Sequence, residues 1–229
     1  MSLNSLIIAS SNVRSIQSQN FRKNKLMKLK REKIDILCIQ ETRLASFSDA
    51  SNAQRIWGEE ISIFSVGPDI ADGVAILFYT RQIQICKKRE PFPGRLLYVD
   101  VYIKNIKCRI INVYAPHNSK KKIELFKTLK KLLYVGFPVV ICGDFNTITE
   151  GKDTTFKPFK MSKDALLKST TISLVLSTLR DRLLVLHQSV SHCTSSLYAD
   201  SSFLLMRPTT VVSSANLMMW FELYFAVQS

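Results

Sequence analysis

Apolar, strand-like runs in this 229-residue chain repeatedly end in a polar side chain of the kind that carries chemistry. Val139-Val140-Ile141-Cys142 runs into Gly143, Asp144, Phe145 and Asn146. Leu6 to Ala9 stops at Ser10-Ser11-Asn12, Ile34 to Ile39 at Gln40-Glu41-Thr42-Arg43, and a further run closes in "NVYAPH" at 112 to 117. Apolar runs bounded this way read as strands, and the polar residue closing each one is the feature to follow. Side chains two apart on an extended strand face the same way, so Asp144 and Asn146 are expected to point out together. Gly143 is expected to let a ligand approach the backbone closely.

Further strands are expected at Ile61 to Val66, Val74 to Tyr79, Leu96 to Ile103 and Ile106 to Tyr114. "GPDIADG" has turn chemistry, and Lys104-Asn105 suits a tight antiparallel hairpin. Two helices interrupt the strands. A basic one over 20 to 33 has Phe21, Leu26 and Leu29 as a thin apolar side. Another, over 120 to 135, sets Ile123, Phe126, Leu129, Leu132 and Leu133 in a stripe opposite lysines. Hairpins dominate and no internal repeat is present, so the expected fold is an α/β or α+β sandwich of two sheets covered by helices. A chain of this length buries one good core, and residues 1 to 229 are read as a single domain.

Charge narrows the partner. Lys and Arg number 32 against 18 Asp and Glu, a net charge of +14. Such an excess favours a polyanion, nucleic acid before an anionic membrane surface, through counterion release and long-range attraction. Of the basic residues only Arg180, Arg182 and Arg207 lie beyond Lys168, so the tail reads as a different kind of sequence. Cys38, Cys86, Cys108, Cys142 and Cys193 are odd in number and show no CxxC spacing. That speaks for a reduced, intracellular protein with no zinc site. Met1-Ser2-Leu3-Asn4 lacks the features of a secretion signal, and Leu217 to Val227 is too short to span a bilayer.

If the strand ends lie together, Asn12, Glu41, Tyr114, Asp144 and Asn146 form a cluster rich in carboxylate and amide oxygen. Such ligands select a hard divalent cation, Mg²⁺ or Mn²⁺. Each residue also has an ordinary role: Asp-x-Asn caps a turn, Glu41 is a surface charge, Tyr114 a core aromatic, Asn12 a cap. Their recurrence at four strand ends favours a site.

"SSNVRSI", "DILCIQETR", "GVAILF", "INVYAPH" and "ICGDFNTI" resemble, in order and spacing, the endonuclease/exonuclease/phosphatase superfamily. The wording is most similar to the endonuclease domain of LINE-type (non-LTR) retrotransposons, which are related to apurinic endonucleases and DNase I. Residues 1 to 160 match well and 161 to 229 diverge. The resemblance implies a DNase I-like four-layer fold and a Mg²⁺-dependent DNA endonuclease, with Mn²⁺ able to substitute. Such an enzyme nicks a phosphodiester bond, as in target-primed retrotransposition. It further implies Glu41 as main metal ligand supported by Asn12, and Asp144 to align or deprotonate water. Asn146 would hold the scissile phosphate, and Tyr114 would donate a hydrogen bond to phosphate or the leaving oxygen. Arg14, Arg43, His117, Lys120, Lys121 and Lys122 would contact nucleic acid. The expected state is a monomer on double-stranded DNA, away from membranes, needing no small-molecule cofactor, and located in the nucleus.

The chain departs from the family at its end. An Asp before a late apolar strand and a closing Ser-Asp-His motif are normal there. Here the region reads "SSLYADSSFLLM", with Asp200 displaced and Ser202 nearer the place, and "MMWFELYFAVQ" stands where the last motif belongs. His117 could approach the phosphate, whereas His187 and His192 read as surface loop. The final strand is expected to be missing, the sheet weakened and cleavage weak or absent, as in a truncated or decayed element copy. One rival reading is a catalytically dead basic module that still binds nucleic acid. Another is a phosphatase of the same superfamily acting on lipid or nucleotide phosphates, which the +14 charge disfavours.

Overall fold

In the computed structural model, residues 5–79, 83–103, 105–146, 183–187, 204–213 and 216–225 are described. One sheet contains β1 (Ser5–Asn12), β2 (Ile36–Gln40), β3 (Ser62–Ser65), β4 (Val74–Phe78), β10 (Leu204–Ser213) and β11 (Asn216–Phe225), in the order β10-β11-β1-β2-β4-β3. The other runs β5-β6-β7-β8-β9, from β5 (Ile83–Phe92), β6 (Leu96–Ile103), β7 (Ile106–Tyr114), β8 (Val139–Asp144) and β9 (Leu183–His187).

Alternation along the strands sorts the core into layers. Ile36 and Cys38 of β2 meet Val140 and Cys142 of β8 between the sheets. Leu37 and Ile39 turn the other way, onto α1 (Gln19–Arg31) and α2 (Phe47–Trp57). Val139 and Ile141 turn onto α3 (Ser119–Leu133). Strands buried on both faces, such as β2 and β4, are therefore unbroken apolar runs. This is the four-layer α/β sandwich expected from the sequence. The pairs β1/β2 and β7/β8 are parallel, joined through α1 and α3, and the carboxyl ends of all four strands meet at one edge. Ile103 pairs with Ile106, closing the expected tight hairpin with Asn105 at φ 66°.

Several details differ from the sequence expectation. Neither α2 nor β5 was foreseen. The Ser46 hydroxyl accepts from Asp49 N at 3.1 Å and donates to its carboxylate at 2.9 Å, a local helix start in plain view. β5 is an edge strand carrying exposed Lys87, Lys88 and Arg89, so its alternation is masked by charge. The apolar face of α3 is centred on Leu125, Leu129 and Leu133, whereas Ile123 is exposed. α1 buries Leu26 and Leu29 but leaves Phe21 exposed.

The final strand is present. β11 pairs antiparallel with β1, from Ser5 opposite Tyr224 to Ser10 opposite Met219, and β10 continues the sheet. Strand pairing needs backbone groups and an apolar composition, not the Ser-Asp-His motif on whose absence the expectation rested. His187 is the last residue of β9, in register with Gly143, and not part of a loop. His192, Asp200 and Ser202 lie outside the described residues.

Candidate active site

Asn12 stands between two carboxylates. Its Nδ2 donates to Glu41 Oε1 at 2.8 Å and to Asp144 Oδ2 at 3.0 Å, joining the two sheets, and its Oδ1 accepts from Arg14 N at 3.0 Å. Glu41 also receives Arg43 Nη2 at 2.8 Å and a hydrogen bond from the Tyr114 hydroxyl. Partial burial pushes the Glu41 carboxyl up, but bonds from Asn12, Arg43 and Tyr114 and the Arg43 charge together hold it below its ordinary value. Burial, with the negative charges of Glu41 and Asp144, pushes the Tyr114 phenol up to about 12, despite the opposing effect of Arg95. At neutral pH Tyr114 is therefore a hydrogen-bond donor and not a phenolate.

Asp144 and Asn146 come together for a reason other than strand alternation. β8 ends at Asp144, and Asn146 sits in the left-handed region at φ 47°. Asp144 Oδ1 accepts from Asn146 N at 2.9 Å, the turn-capping role, while Oδ2 serves the site. Asn146 Nδ2 donates to Ala115 O at 2.7 Å, and Lys122 Nζ to Asn146 O at 2.6 Å. The close approach seen at Gly143 is by the neighbouring strand: a Cβ there would lie 2.1 Å from Val113 O, at φ 154°.

Among the described residues, five of the seven non-glycine residues with positive φ gather here: Arg14, Ser15, Glu41, Arg43 and Asn146. Each such residue costs on the order of 1–3 kcal/mol and persists where its surroundings enforce it, commonly at functional sites. Backbone bonds supply that enforcement, with Ser15 N on Glu41 O at 2.7 Å and Arg43 N on Asp72 O at 2.9 Å.

One layer beneath, buried polar groups tie the sheets together. Gln40 Nε2 donates to Asn112 Oδ1 at 2.8 Å and to Ser10 Oγ at 3.1 Å. Asn112 Nδ2 donates to Ile39 O at 2.9 Å and Ala75 O at 2.8 Å. Sequence reasoning missed Gln40 and Asn112 as site supports, although a lone amide within the apolar "IINVY" was a usable signal.

Of the proposed nucleic-acid contacts, Arg14, His117, Lys120 and Lys121 are exposed, and Arg43 is partly so. Lys121 Nζ lies 3.8 Å from Asp69 Oδ2. Lys122 reaches Asn146, a supporting contact. Lys25 has its pKa lowered by partial burial and by the nearby charges of Lys28 and Arg14, so positive charge is crowded around the middle of α1.

The donor chemistry fits a hard cation. Two carboxylates flank one amide, and an N–H group fills the gap between like charges that a cation would fill. Among the described residues no three His, Cys, Asp or Glu side chains converge. A cation here would therefore take one or two carboxylates from the protein.

The Endonuclease/Exonuclease/phosphatase family pattern matches residues 9–161, more than half of the chain. The chain belongs to this family. Its fold is similar to that of an AP endonuclease from Archaeoglobus fulgidus, with a TM-score of 0.58 and 22% identity, covering 97% of this chain and 100% of that one. No curated protein sequence matches the chain. Among the described residues no helix is long and apolar enough to cross a membrane.

Proposed function

We propose that this chain is a Mg²⁺-dependent endonuclease that hydrolyses a phosphodiester of double-stranded DNA, with Mn²⁺ able to replace Mg²⁺. The observation that carries the reading is the Asn12 amide held between Glu41 and Asp144. Mg²⁺ is commonly held by one or two carboxylates, with water and phosphate oxygens completing its shell. Glu41 and, with its amide turned so that Oδ1 faces the carboxylates, Asn12 would hold it, and there it would neutralise charge on the phosphodiester. Asp144, fixed by two donors, aligns or deprotonates the attacking water. Tyr114 donates a hydrogen bond to the phosphate or the leaving oxygen. Asn146 contacts the scissile phosphate from a loop braced by Lys122 and Ala115. Arg14, Arg43, His117, Lys120 and Lys121 would meet the DNA backbone, giving affinity with little sequence reading. The LINE-type wording of the motifs supports a role in target-primed retrotransposition, with a monomer acting in the nucleus. The whole chain is taken as one domain, because β10 and β11 extend the sheet that β1 belongs to.

The absent Ser-Asp-His motif favours a second reading, a basic module that binds nucleic acid without turnover. Losing one preorganised group at a reacting phosphate typically costs about 10² to 10³ in rate. Supercoiled-plasmid nicking with Mg²⁺ and with EDTA, beside Glu41→Ala and Asp144→Ala, separates the two. Nicking that needs Mg²⁺ and vanishes in both variants supports the endonuclease. Salt-sensitive DNA binding with no nicking leaves the binding module.

A further inference from the structure

Arg95 makes no hydrogen bond to Glu41 or Asp144 among the described residues, yet it meets Tyr114 twice. Its guanidinium lies over the Tyr114 ring, 4.3 Å from the centroid, and its carbonyl accepts Tyr114 N at 2.8 Å. Arg95 Nε meets Asp72 Oδ1 at 2.6 Å, a close charge contact without hydrogen-bond alignment, and Arg95 Nη1 is buried with no hydrogen bond. Asp72 is 3% exposed and held on both sides. Its Oδ2 accepts from Asp69 N at 3.1 Å, and its carbonyl from Arg43 N at 2.9 Å.

The surrounding loops leave Asp72 little room. A Cβ on Gly94 would lie 2.5 Å from the Gly67 backbone and 2.8 Å from Asp72 Cβ. Gly94 N donates to Ser65 Oγ at 2.8 Å, and Gly73 N to Gly94 O at 3.0 Å. The β3–β4 and β5–β6 connections thus form one knot of backbone with Asp72 inside and Arg95 projecting over the ring. The Arg95 cation is held where it can act on the ring face. A cation over an aromatic face contributes enough to select one ring placement.

We propose that Arg95, anchored by Asp72, is a positioning residue. It holds the Tyr114 ring so that the hydroxyl meets Glu41, and phosphodiester cleavage depends on it although it acts through Tyr114. The dependence of cleavage rests on the endonuclease reading; the positioning of the ring does not.

The full chain is tested as Arg95→Met, Arg95→Lys, Asp72→Asn, Tyr114→Phe and the Arg95→Met/Tyr114→Phe pair, on a fluorescent duplex with Mg²⁺. Arg95→Met is expected to lower kcat about 10- to 100-fold with KM little changed, as for a displaced catalytic group. Arg95→Lys keeps the charge but not the plane and falls between. The pair is expected to be no slower than Tyr114→Phe alone, because both changes act at one point. Losses that multiply in the pair, or an unchanged kcat in Arg95→Met, overturn the proposal. Should Arg95→Met fail to fold, Asp72→Asn and Arg95→Lys carry the same comparison with Tyr114→Phe.

Should the native chain not cleave DNA, the endonuclease reading fails by itself. Carbon-13 NMR of chains labelled at tyrosine Cζ then decides the positioning. The Tyr114 line, identified by its loss in Tyr114→Phe, is expected to shift or broaden in Arg95→Met and Asp72→Asn. An unmoved line in folded variants overturns the proposal.

Discussion

Gln40, the residue before Glu41, hands its side-chain amide to Asn112 at 2.8 Å across the gap between the sheets. Asn112 in turn serves the Ile39 and Ala75 carbonyls. The distance between the Asn12/Glu41 half of the site and the Tyr114/Asp144 half is therefore set by side chains as well as by apolar packing. Asn112→Ala removes one partner of Gln40 and the second hydrogen bond of two carbonyls, Ile39 O and Ala75 O, that face each other in the β2/β4 ladder. It is expected to cost roughly 1–3 kcal/mol, from three hydrogen bonds lost at about 0.5–1.5 kcal/mol each, offset in part by the partners that remain. Urea unfolding checks this, and a midpoint equal to that of the native chain would show that the bridge carries no stability.

Asn12→Asp removes the N–H between two carboxylates and adds a third negative group. Without metal, like charges crowd and the variant is expected to melt below the native chain at pH 7. With Mn²⁺ the denser charge should bind more tightly, so the metal-induced rise in Tm exceeds the native one. Scanning calorimetry at increasing Mn²⁺ reads both. If Mn²⁺ leaves the Tm of either protein unchanged, the cation does not sit at Asn12.

Lys120 and Lys121 are exposed at the start of α3, whereas Lys122 is engaged with Asn146. Replacing Lys120 and Lys121 with Ala is expected to reduce the slope of log affinity against log salt by about 1.8, at roughly 0.9 per phosphate contact. Fluorescence anisotropy on a short duplex at several salt concentrations measures the slope. An identical slope would place the DNA away from α3.

Arg22 is a buried strut and no part of a DNA-binding face. Its guanidinium reaches Ile16 O, Gln17 O, Asn52 Oδ1 and Asp49 Oδ1, the last at 2.7 Å, and so fastens α1 to α2. Arg22→Ala is expected to cost about 3 kcal/mol. The Arg22 and Ser46 hydrogen bonds hold the Asp49 carboxyl below its ordinary value. A carboxylate with a lowered folded pKa lends stability above its unfolded value and loses it as pH falls through the folded one. Native stability should thus decline below about pH 4, and Asp49→Asn should flatten that limb. Urea midpoints across acid pH give the comparison, and parallel curves would remove Asp49 from the acid response.

Asn12, Glu41, Tyr114 and Asp144 were legible because each follows an apolar run, and strand ends of one hand in two parallel pairs must fall on one edge. Asn146 lies beside Asp144 for a reason the sequence reading did not hold, since a left-handed turn and not an extended strand brings it round. Gln40, Asn112, Asp72 and Arg95 were not legible in their roles. Their meaning lies in partners 72, 23 and 19 positions away along the chain, Gln40 to Asn112, Arg95 to Asp72 and Arg95 to Tyr114. A single Arg among 32 basic residues carries no mark of the ring it will cover. The last strands were misjudged because absent motif residues were taken for an absent strand.

The pairing of Ser5 with Tyr224 has a consequence for how the chain reaches its fold. β1 cannot be sealed on its outer edge until residues near the far end of the sequence have left the ribosome. Until then, the strand that carries Asn12 has one open row of N–H and C=O groups, a template for any passing strand. Loop closure over so long a separation is slow, so the newly made chain passes through a stage exposed to mispairing. A segment that lies beyond the family match at residues 9–161 is the one whose arrival ends that exposure.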